Sequence, residues 1–422
     1  MPPTQPIKAA RGVRDILPAE LAAWSVVERT AHDLLRGCGY QEIETPILER
    51  SALIERGIGA DTDAGGKELF RLVKRGDDEL VLRPEATAGV VRAYFEHHLD
   101  QGAQPVRLFL IGPMFRYDRP QAGRYREFHQ LNVEAIGDAS PALDAEVIEI
   151  AQTWMGGLGL SGIRLELNSI GDQNCRPAYI DKLVEYYRPH KDELGADDQD
   201  RLERNPLRLL DSKEPRCQAL KAKAPRITDH LCDACAAAFA DVRRLLDAAG
   251  IEYVLNPHLV RGLDYYTRTV FELQHEAIGG AQNSLGGGGR YDGLAEALGW
   301  ASTPAVGFAA GIERVVLMMA EEGEHVIPAP AAQLLVLPAE TGLDVEAAEV
   351  GRLARTAVPT AVDYSARSLK AKMRSANRLG PRWVAIFNRA EAERRAVQLK
   401  ELAGGEQREL SWDELPSVLE AE

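Results

Sequence analysis

The sequence predicts an α+β protein built from two domains, the first of which is interrupted by a helical insertion. Strand-like runs crossed by helical stretches extend to about residue 169 and return after residue 250, and the segment between them is mostly helical and highly charged. A proline-containing linker then precedes a last series of short apolar runs separated by helical stretches. The predicted ranges are 1–325 for the first domain, 171–252 for its insertion, 326–332 for the linker and 333–422 for the second domain.

The N-terminal block contains helix and strand signals in alternation. The run WSVVERTAHDLLRGCGY (24–40) has helical spacing and stops at glycines. The run QEIETPILE (41–49) alternates like a strand, which Pro46 interrupts. Residues 79–99 predict a strand, a turn and a helix, and residues 106–137 predict two strands around a polar loop rich in arginine and glycine.

Strand signals return after the helical segment in EYVLNPHLVRGLDYYTRTVFELQH, SLGGGGRYDGLAEALG and AVGFAAGIERVVLMM. The glycines of the second run match neither a P-loop nor a dinucleotide-binding turn, and they indicate a strand where a ligand or backbone comes close. The third run leads from a strand of small residues into a helix. In the C-terminal domain four short apolar runs predict a sheet: LLVLP (334–338), PTAVDY (359–364), RWVAIF (382–387) and AVQLK (396–400).

The charge distribution bears on the kind of partner. The net charge of −14 disfavours a nucleic-acid partner, because phosphate contacts need Lys and Arg. The stretch 351–400, however, holds 12 Lys and Arg against 3 Asp and Glu, a local balance of 12 − 3 = +9. This stretch is compatible with a basic patch that steers RNA to one face, and equally with a solvated helix face.

The 5 cysteines are few and unevenly spaced, which is typical of a reducing compartment. Cys232 and Cys235 form a C-x-x-C pair in a predicted helix, but no second pair of this kind follows. Because a structural zinc site usually has four ligands, no zinc is expected. The N-terminus shows no apolar secretory segment, and Glu313 and Arg314 interrupt an apolar run, so a cytoplasmic protein without membrane spans is expected.

Arginines and aromatic residues are concentrated in FRYDRPQAGRYREFHQ (115–130). Alternate residues of a hairpin point to one face, so Arg116, Arg124 and Phe128 are expected to share a surface. Guanidinium groups bind phosphate or carboxylate, and an aromatic ring beside them can stack on a base. The alternative is a surface hairpin with solvated arginines.

Two further stretches have two interpretations each. Small residues in GFAAGIER let a planar group approach the backbone near Arg314, or let a helix pack tightly on the sheet. In LRPEAT, Glu85 and Thr87 offer a carboxylate and a hydroxyl to an ammonium group, or they cap the helix that follows.

In this order, these segments resemble the class II aminoacyl-tRNA synthetases. GYQEIETPILE resembles the first motif of that class, FRYDRPQAGRYREFHQLNVEAIG the second and AVGFAAGIERVVLMM the third. LVRGLDYYTRTVFE and SLGGGGRYDGL resemble the two stretches that mark the histidyl-tRNA synthetase family. The resemblance covers nearly the whole chain.

The resemblance implies a catalytic domain on a large antiparallel sheet flanked by helices, with a helical insertion, and a C-terminal α/β anticodon-binding domain that contains the basic stretch. It also implies a two-step reaction. L-histidine attacks the α-phosphorus of ATP to give histidyl-adenylate and diphosphate, and the 3′ end of tRNA(His) then accepts the histidyl group. Mg²⁺ is expected with the ATP phosphates, and a homodimer is implied.

The resemblance assigns a histidine pocket. Glu85, Thr87 and Gln130 are expected to hold the α-amino group. Glu134 and Tyr266 are expected to read the imidazole, whose two nitrogens suit an acceptor and a hydroxyl. The histidine-binding set is Glu85, Ala86, Thr87, Arg116, Gln130, Glu134, Arg261, Tyr265 and Tyr266.

The resemblance also assigns cations to the reacting phosphate. Arg116 is expected to contact the α-phosphate and the histidine carboxylate, with Arg261 opposite it as a side-chain cation where related enzymes place a metal ion. Phe128 is expected to stack on adenine, with Arg314 over its other face. The catalytic set is Arg116, Arg261 and Arg314, and the ATP-binding set is Arg116, Asp118, Arg124, Phe128 and Arg314.

Expected tRNA contacts fall into two groups. Arg119 and Gln121 are assigned to the acceptor end. Arg367, Lys370 and Arg374 are assigned to the anticodon-binding domain.

Two positions depart from the family pattern. Asp118 stands where glutamate is usual and is one methylene shorter, and Ala86 stands where glycine is common, so the backbone there must avoid positive φ. Neither departure removes a charge.

Two alternatives remain. A non-catalytic, synthetase-like regulatory subunit of histidine biosynthesis typically lacks the arginine–tyrosine stretch and the C-terminal domain, so the presence of Arg261, Tyr265 and Tyr266 disfavours it. An RNA-binding regulator that senses uncharged tRNA would not need the three catalytic arginines together.

Overall fold

The structure, a computed structural model, describes residues 7–59, 62, 65–73, 78–120, 123–275, 283–323, 332–405 and 407–421. The chain divides into two compact units, Met1–Val326 and Ile327–Glu422. They are called the first unit and the second unit below.

A large sheet organises the first unit. The strands of this unit are β1 (Gln41–Glu42), β2 (Leu48–Arg50), β3 (Leu80–Leu82), β4 (Val106–Phe115), β5 (Glu127–Ile136), β6 (Ile163–Ser169), β7 (Val254–Leu255), β8 (Thr267–His275), β9 (Ser284–Arg290) and β10 (Ala305–Gly311). Eight of them form one sheet in the order β1-β4-β5-β10-β9-β8-β6-β7, and β2 pairs with β3 separately. The six central strands are antiparallel, whereas the short edge strands β1 and β7 run parallel to their neighbours.

Ten α-helices accompany these strands among the described residues. They are α1 (Pro18–Gly37), α2 (Ser51–Ile58), α3 (Thr87–Glu96), α4 (Pro141–Gly157), α5 (Arg176–Tyr187), α6 (Ala196–Arg204), α7 (Pro215–Lys221), α8 (Asp233–Ala248), α9 (Leu294–Ala297) and α10 (Ile312–Glu321). The start of α4 shows why helices begin where they do: Pro141 fits the first turn, and the Ser140 side chain accepts a hydrogen bond from the backbone of Ala142. The segment between β6 and β7 carries α5 to α8 and short 3-10 turns.

The two faces of the large sheet differ because side chains alternate along each strand. On β5, Leu131, Val133 and Ala135 are buried in an apolar core together with residues of α1, α4, α8 and α10. The intervening Gln130 and Asn132 line a cleft on the other face. The same alternation therefore supplies the core and the polar floor of the cleft.

Two glycines on the inner strands are required by close approach of a side chain. At Gly287 on β9, a Cβ atom would lie 2.7 Å from Nη1 of Arg261. At Gly307 on β10, a Cβ atom would lie 2.0 Å from Oε2 of Glu134. A larger residue at either position would displace Arg261 or Glu134.

The second unit is an α/β sandwich around a five-stranded sheet. Its elements are β11 (Leu334–Pro338), α11 (Asp344–Ala354), β12 (Thr360–Val362), α12 (Leu369–Leu379), β13 (Trp383–Phe387), α13 (Arg389–Glu393), β14 (Ala396–Glu401), β15 (Gln407–Ser411) and α14 (Leu415–Ala421). The strand order is β12-β11-β13-β14-β15, parallel for the first three strands and antiparallel for the rest.

The predicted α+β architecture and its large antiparallel sheet are confirmed. Helix α1 begins at Pro18, earlier than the predicted start at Trp24, because proline fits the first turn. Strand β15 was not predicted, since its QRELS sequence is polar and largely exposed at the sheet edge. Most of the predicted linker lies in 324–331, outside the described residues.

Candidate active site

A cleft of about 810 Å³ opens on the polar face of the large sheet. Its walls come from β5, from the turn 261–266 that precedes β8, from β9 and from the start of α10. These elements are distant in the chain and meet only because β5, β10, β9 and β8 are neighbours in the sheet.

One wall of the cleft is the polar face of β5, where Phe128, Gln130 and Asn132 follow one another at alternate positions. Oε1 of Gln130 and both side-chain polar atoms of Asn132 are buried without a hydrogen-bond partner among the described residues. Buried polar atoms are normally paired. These atoms are therefore suited to a polar ligand.

Arg116, just after β4, is a fixed cation in this wall. Its Nε donates a 2.9 Å hydrogen bond to the carbonyl oxygen of Pro84. Its Cζ lies 5.2 Å from the ring centroid of Phe128. Burial lowers the pKa of Arg116, but a guanidinium stays charged in proteins.

Asp118 holds a second arginine at the cleft. Its carboxylate forms an ion pair with Arg124, whose Nη2 also lies 3.7 Å from Oε1 of Glu68. The backbone amide of Arg119 donates to Asp118 Oδ1 at 2.6 Å. The aspartate that departs from the family pattern thus has a positioning contact of its own.

Glu85 caps a helix and also lines the cleft. Its carboxylate accepts hydrogen bonds from the backbone amides of Thr87 (2.7 Å) and Ala88 (3.0 Å), which begin α3. The same carboxylate and the Thr87 side chain line the cleft. Burial raises the pKa of Glu85, although the two amide donors oppose this shift.

Glu134 lies one layer deeper, on the polar face of β5. The Thr87 hydroxyl donates to its Oε1 at 2.7 Å, and the Tyr291 hydroxyl donates to its Oε2. Burial raises the pKa of Glu134 to about 8, even though both hydroxyl donors favour the charged form. A carboxyl group with a raised pKa therefore lies directly behind the cleft.

The opposite wall is the turn before β8. Tyr265 and Tyr266 are buried with ring centroids 4.6 Å apart, and burial raises the pKa of both, so their hydroxyls remain proton donors. Arg261 Nη1 donates to Oε1 of Glu272 at 3.1 Å, and its Cζ lies 5.9 Å from the Tyr266 ring centroid. A cation and two phenols are thus fixed side by side.

Arg314, in the first turn of α10, closes the cleft near β9. Its Nη1 donates to the Ser284 carbonyl oxygen at 2.6 Å, and its Nε donates to the Gly123 carbonyl oxygen at 3.3 Å. Its pKa is lowered by burial and by the nearby charges of Arg124 and Arg116. Positive charge therefore accumulates in this part of the cleft, which suits an anionic ligand.

The structure brings most of the predicted site residues together. Ala86 is fully buried, and Glu134 is outside the cleft lining among the described residues. Arg119 is exposed and is also outside that lining, and the predicted tRNA contact Gln121 lies outside the described residues. The predicted residues that line the cleft are Glu85, Thr87, Arg116, Asp118, Arg124, Phe128, Gln130, Arg261, Tyr265, Tyr266 and Arg314.

Sequence reasoning missed Asn132 and Glu272, which both line the cleft. The sequence does contain a signal for Asn132. Alternate residues of a strand share a face, so Asn132 lies on the same face of β5 as Phe128, Gln130 and Glu134. Glu272 lies on β8, and Arg261 reaches it only because the turn before β8 folds back toward that strand. The sequence does not reveal this conformation of the turn.

The predicted tRNA-binding cations of the second unit lie on its surface. Arg367, Lys370 and Arg374 are exposed, and Arg367 Nη2 lies 3.0 Å from Oδ2 of Asp363. Lys370 and Arg374 are one turn apart on α12 and so share a face. Lys372 on the same helix is buried, and its Nζ donates to two backbone carbonyls at 2.9 and 3.2 Å.

Within the described ranges, none of the helices has the length and apolar character needed to cross a membrane.

The antiparallel sheet, its arginine-lined cleft and the separate α/β unit define a class II aminoacyl-tRNA synthetase architecture. A family model described as histidyl-tRNA synthetase matches residues 12–315, and an anticodon binding domain model matches residues 333–422. The chain belongs to the histidyl-tRNA synthetase family.

Individual relatives are similar over almost the full length. The chain is 48% identical over 401 residues to a histidine–tRNA ligase of Moorella thermoacetica, covering 95% of each chain. It is 47% identical over 410 residues to one of Desulforudis audaxviator, covering 97% of each. The crystal structure of apo S. aureus histidyl-tRNA synthetase matches with a TM-score of 0.82 and 35% identity, over 98% of this chain and 100% of that one.

Proposed function

We propose that the chain is a histidine–tRNA ligase, which activates L-histidine with ATP and transfers it to the 3′ end of tRNA(His). The observation that carries the proposal is the meeting of Arg116, Arg261 and Arg314 in one cleft, beside the unpartnered polar atoms of Gln130 and Asn132. Full-length similarity to proteins named histidine–tRNA ligase supports the same reaction.

In the first step a carboxylate oxygen of histidine attacks the α-phosphorus of ATP. A new phosphorus–oxygen bond forms, and the bond to diphosphate breaks. Such chemistry depends on positioning and on cations placed where charge develops. Arg116 is held by the Pro84 carbonyl and Arg261 by Glu272, so both present fixed charge without reorganisation. ATP enters as its magnesium complex, and Mg²⁺ belongs to the substrate.

Histidine is recognised in the buried part of the cleft. Glu85, Thr87 and Gln130 hold the α-ammonium group, to which they offer a carboxylate, a hydroxyl and an amide oxygen. Glu134 and Tyr266 read the imidazole beside Tyr265, and Glu134 does so from one layer behind the residues that line the cleft. A side chain that left these buried groups unpaired would be rejected strongly.

ATP occupies the arginine-rich part of the cleft. Phe128 stacks on the adenine, and Arg314 covers its other face. Arg124, held by Asp118, faces the phosphates. Asp118, although one methylene shorter than the usual glutamate, therefore contributes to the ATP site by holding Arg124 in position.

The second step transfers the histidyl group to a ribose hydroxyl of tRNA(His), and AMP leaves. Arg119 and Gln121 serve the acceptor end, and Arg367, Lys370 and Arg374 of the second unit bind the anticodon region. We further propose that the protein is a homodimer and that it is located in the cytoplasm.

A non-catalytic regulatory subunit is the rival function. Arg261, Tyr265 and Tyr266, which such subunits typically lack, all line the cleft, and the second unit matches an anticodon binding domain. These observations favour the ligase.

The test is ATP–diphosphate exchange by the purified full chain with magnesium, using each standard amino acid in turn. We expect exchange with histidine alone, followed by histidylation of tRNA(His). A chain that is folded by circular dichroism but shows no histidine-dependent exchange would contradict the proposal.

A further inference from the structure

Four side chains that the proposed reaction does not use meet at one end of the helical segment: Asp172, Cys175, Cys232 and Cys235. One oxygen of Asp172 and the three sulfur atoms all lie within 4.8 Å of one another. Asp172, Cys175 and Cys235 are buried, and Cys232 is partly buried. In the described part of the chain, none of the four lines the cleft.

The four residues form two pairs with the same spacing. Asp172-x-x-Cys175 lies in the loop after β6, and Cys232-x-x-Cys235 opens α8. Two-residue spacing within each half is typical of structural zinc sites. The expectation of no zinc rested on the lack of a second pair after Cys235; the structure supplies that pair from an earlier segment, with a carboxylate in one position.

The ligand atoms are oriented by hydrogen bonds from outside the cluster. The backbone amide of Asn174 donates to Oδ1 of Asp172 at 2.9 Å, and Nη2 of Arg268 donates to Oδ2 at 3.3 Å. Cys232 is the residue immediately before the first residue of α8. Such outer contacts, and the positive end of a helix, are typical surroundings of an anionic ligand set.

We propose that Asp172, Cys175, Cys232 and Cys235 bind one structural zinc ion. With zinc–sulfur bonds of about 2.3 Å, a tetrahedral site has ligand atoms roughly 3.8 Å apart, so the present cluster has to contract by less than about 1 Å. Three sulfurs and one oxygen in a tetrahedron favour zinc over magnesium or calcium, and four protein ligands leave no open position for catalysis. A disulfide would use two of the sulfurs and would leave the carboxylate without a role.

The ion would fasten the helical segment to the strand that follows the histidine pocket. The backbone amide of Arg268 donates to the Gly171 carbonyl at 2.7 Å, and the amide of Ile170 donates to the Arg268 carbonyl at 2.8 Å. Arg176 Nη2 donates to the carbonyl oxygen of Tyr266 at 2.7 Å. One zinc ion therefore joins the first loop and the last helix of the segment beside the backbone that carries Tyr266.

The first test is elemental analysis of the full chain, purified without a metal-binding tag from zinc-supplemented cells. We expect roughly one zinc ion per chain. Cys175→Ser and Cys235→Ser should lose most of it, whereas Cys38→Ser, a partly buried cysteine outside the cluster, should keep it. Cobalt(II) exchanged into the wild-type chain should show the intense visible bands of a tetrahedral thiolate site.

A second test uses only the wild-type chain, so it does not depend on whether a variant folds. Titration with an organomercurial, which blocks thiols, should release the zinc in step with modification of the cluster, and the midpoint of thermal unfolding should fall by several degrees. Less than about a tenth of an ion per chain after reconstitution, or a Cys232–Cys235 disulfide in the non-reduced intact mass, would overturn the proposal. Neither test reads ligase activity, so failure of this proposal and failure of the proposed reaction are distinguishable.

Discussion

The cations of the two units are presented in opposite ways. In the first unit, Arg116, Arg261 and Arg314 are bound through their guanidinium nitrogens to carbonyls or a carboxylate, inside a cleft. In the second unit, Lys370 and Arg374 stand exposed on a helix. An anchored cation in a cleft acts on one atom at short range, whereas exposed cations act through a field that salt screens.

Removal of Arg261 should have the largest effect. Arg261→Ala should lower histidine-dependent exchange by about 10²- to 10³-fold, because the guanidinium stabilises charge that develops only in the transition state. The dissociation constant of histidine, measured by calorimetry, should change far less. Arg261→Lys, which keeps the charge but loses the planar fork, should retain part of the activity. Equal losses of rate and of histidine affinity would contradict a transition-state role.

Burial also separates two glutamates of one strand, because Glu134 on β5 is buried whereas Glu127 is exposed. The pKa of Glu134 is raised from 4.5 to about 8, so the folded chain holds a proton that the unfolded chain has lost between these values. Its contribution to stability is therefore present at low pH and is lost as the pH rises through about 8. Glu134→Gln keeps the neutral form, so its thermal midpoint relative to wild type should rise by several degrees from pH 5 to pH 9. Glu127→Gln changes an exposed residue on the same strand and is the control. If the difference in thermal midpoint between Glu134→Gln and wild type varied with pH as little as it does for this control, the raised pKa of Glu134 would be refuted.

Asn132 tests whether the unpartnered polar atoms of the cleft serve a ligand. Asn132→Leu removes two unsatisfied atoms, so it should stabilise the ligand-free chain by about 1–3 kcal/mol and lower exchange by at least about tenfold. Asn168→Leu is the matched control. Buried Asn168 donates a 2.9 Å hydrogen bond to the Leu259 carbonyl, so this substitution should destabilise the protein. Full activity in Asn132→Leu would place the residue outside the site.

The exposed cations should give the smallest effect. Lys370→Gln with Arg374→Gln should raise the KM for tRNA several-fold and reduce the salt dependence of binding, while exchange stays unchanged. Lys372→Met on the same helix should instead lower the thermal stability of the second unit, because it removes two hydrogen bonds from a buried ammonium group to backbone carbonyls. Impaired exchange in the double variant would indicate a folding role for these residues.

Local patterns in the sequence were sufficient for much of this arrangement. Alternation in the predicted hairpin placed Arg116, Arg124 and Phe128 on one face, and the small residues before Arg314 indicated a strand that leads into a helix, whereas Gln130 was assigned through the family resemblance. Asn132 was within reach of the same rule. The pairing of Arg261 with Glu272 was not, because it depends on how the turn folds back over β8 and β9.

The cluster of Asp172, Cys175, Cys232 and Cys235 also could not be predicted from local sequence patterns, because its two pairs are far apart in the chain. Cys232 and Cys235 are conspicuous in the sequence, but Asp172 and Cys175 join them only because β6 pairs with β8 and α8 returns to that end of the sheet. Spacing alone identifies half of such a site. Sheet topology supplies the other half.

The most direct measurement compares Arg261→Ala with the Lys370→Gln, Arg374→Gln double variant in two assays, exchange and tRNA histidylation, at low and high salt. We predict that Arg261→Ala loses exchange at both salt concentrations. The double variant should keep exchange and should fall below wild type in histidylation mainly at low salt, where the removed cations would be least screened, and the difference should shrink at high salt. If both variants lost both activities in parallel, the division between anchored and exposed cations would be contradicted.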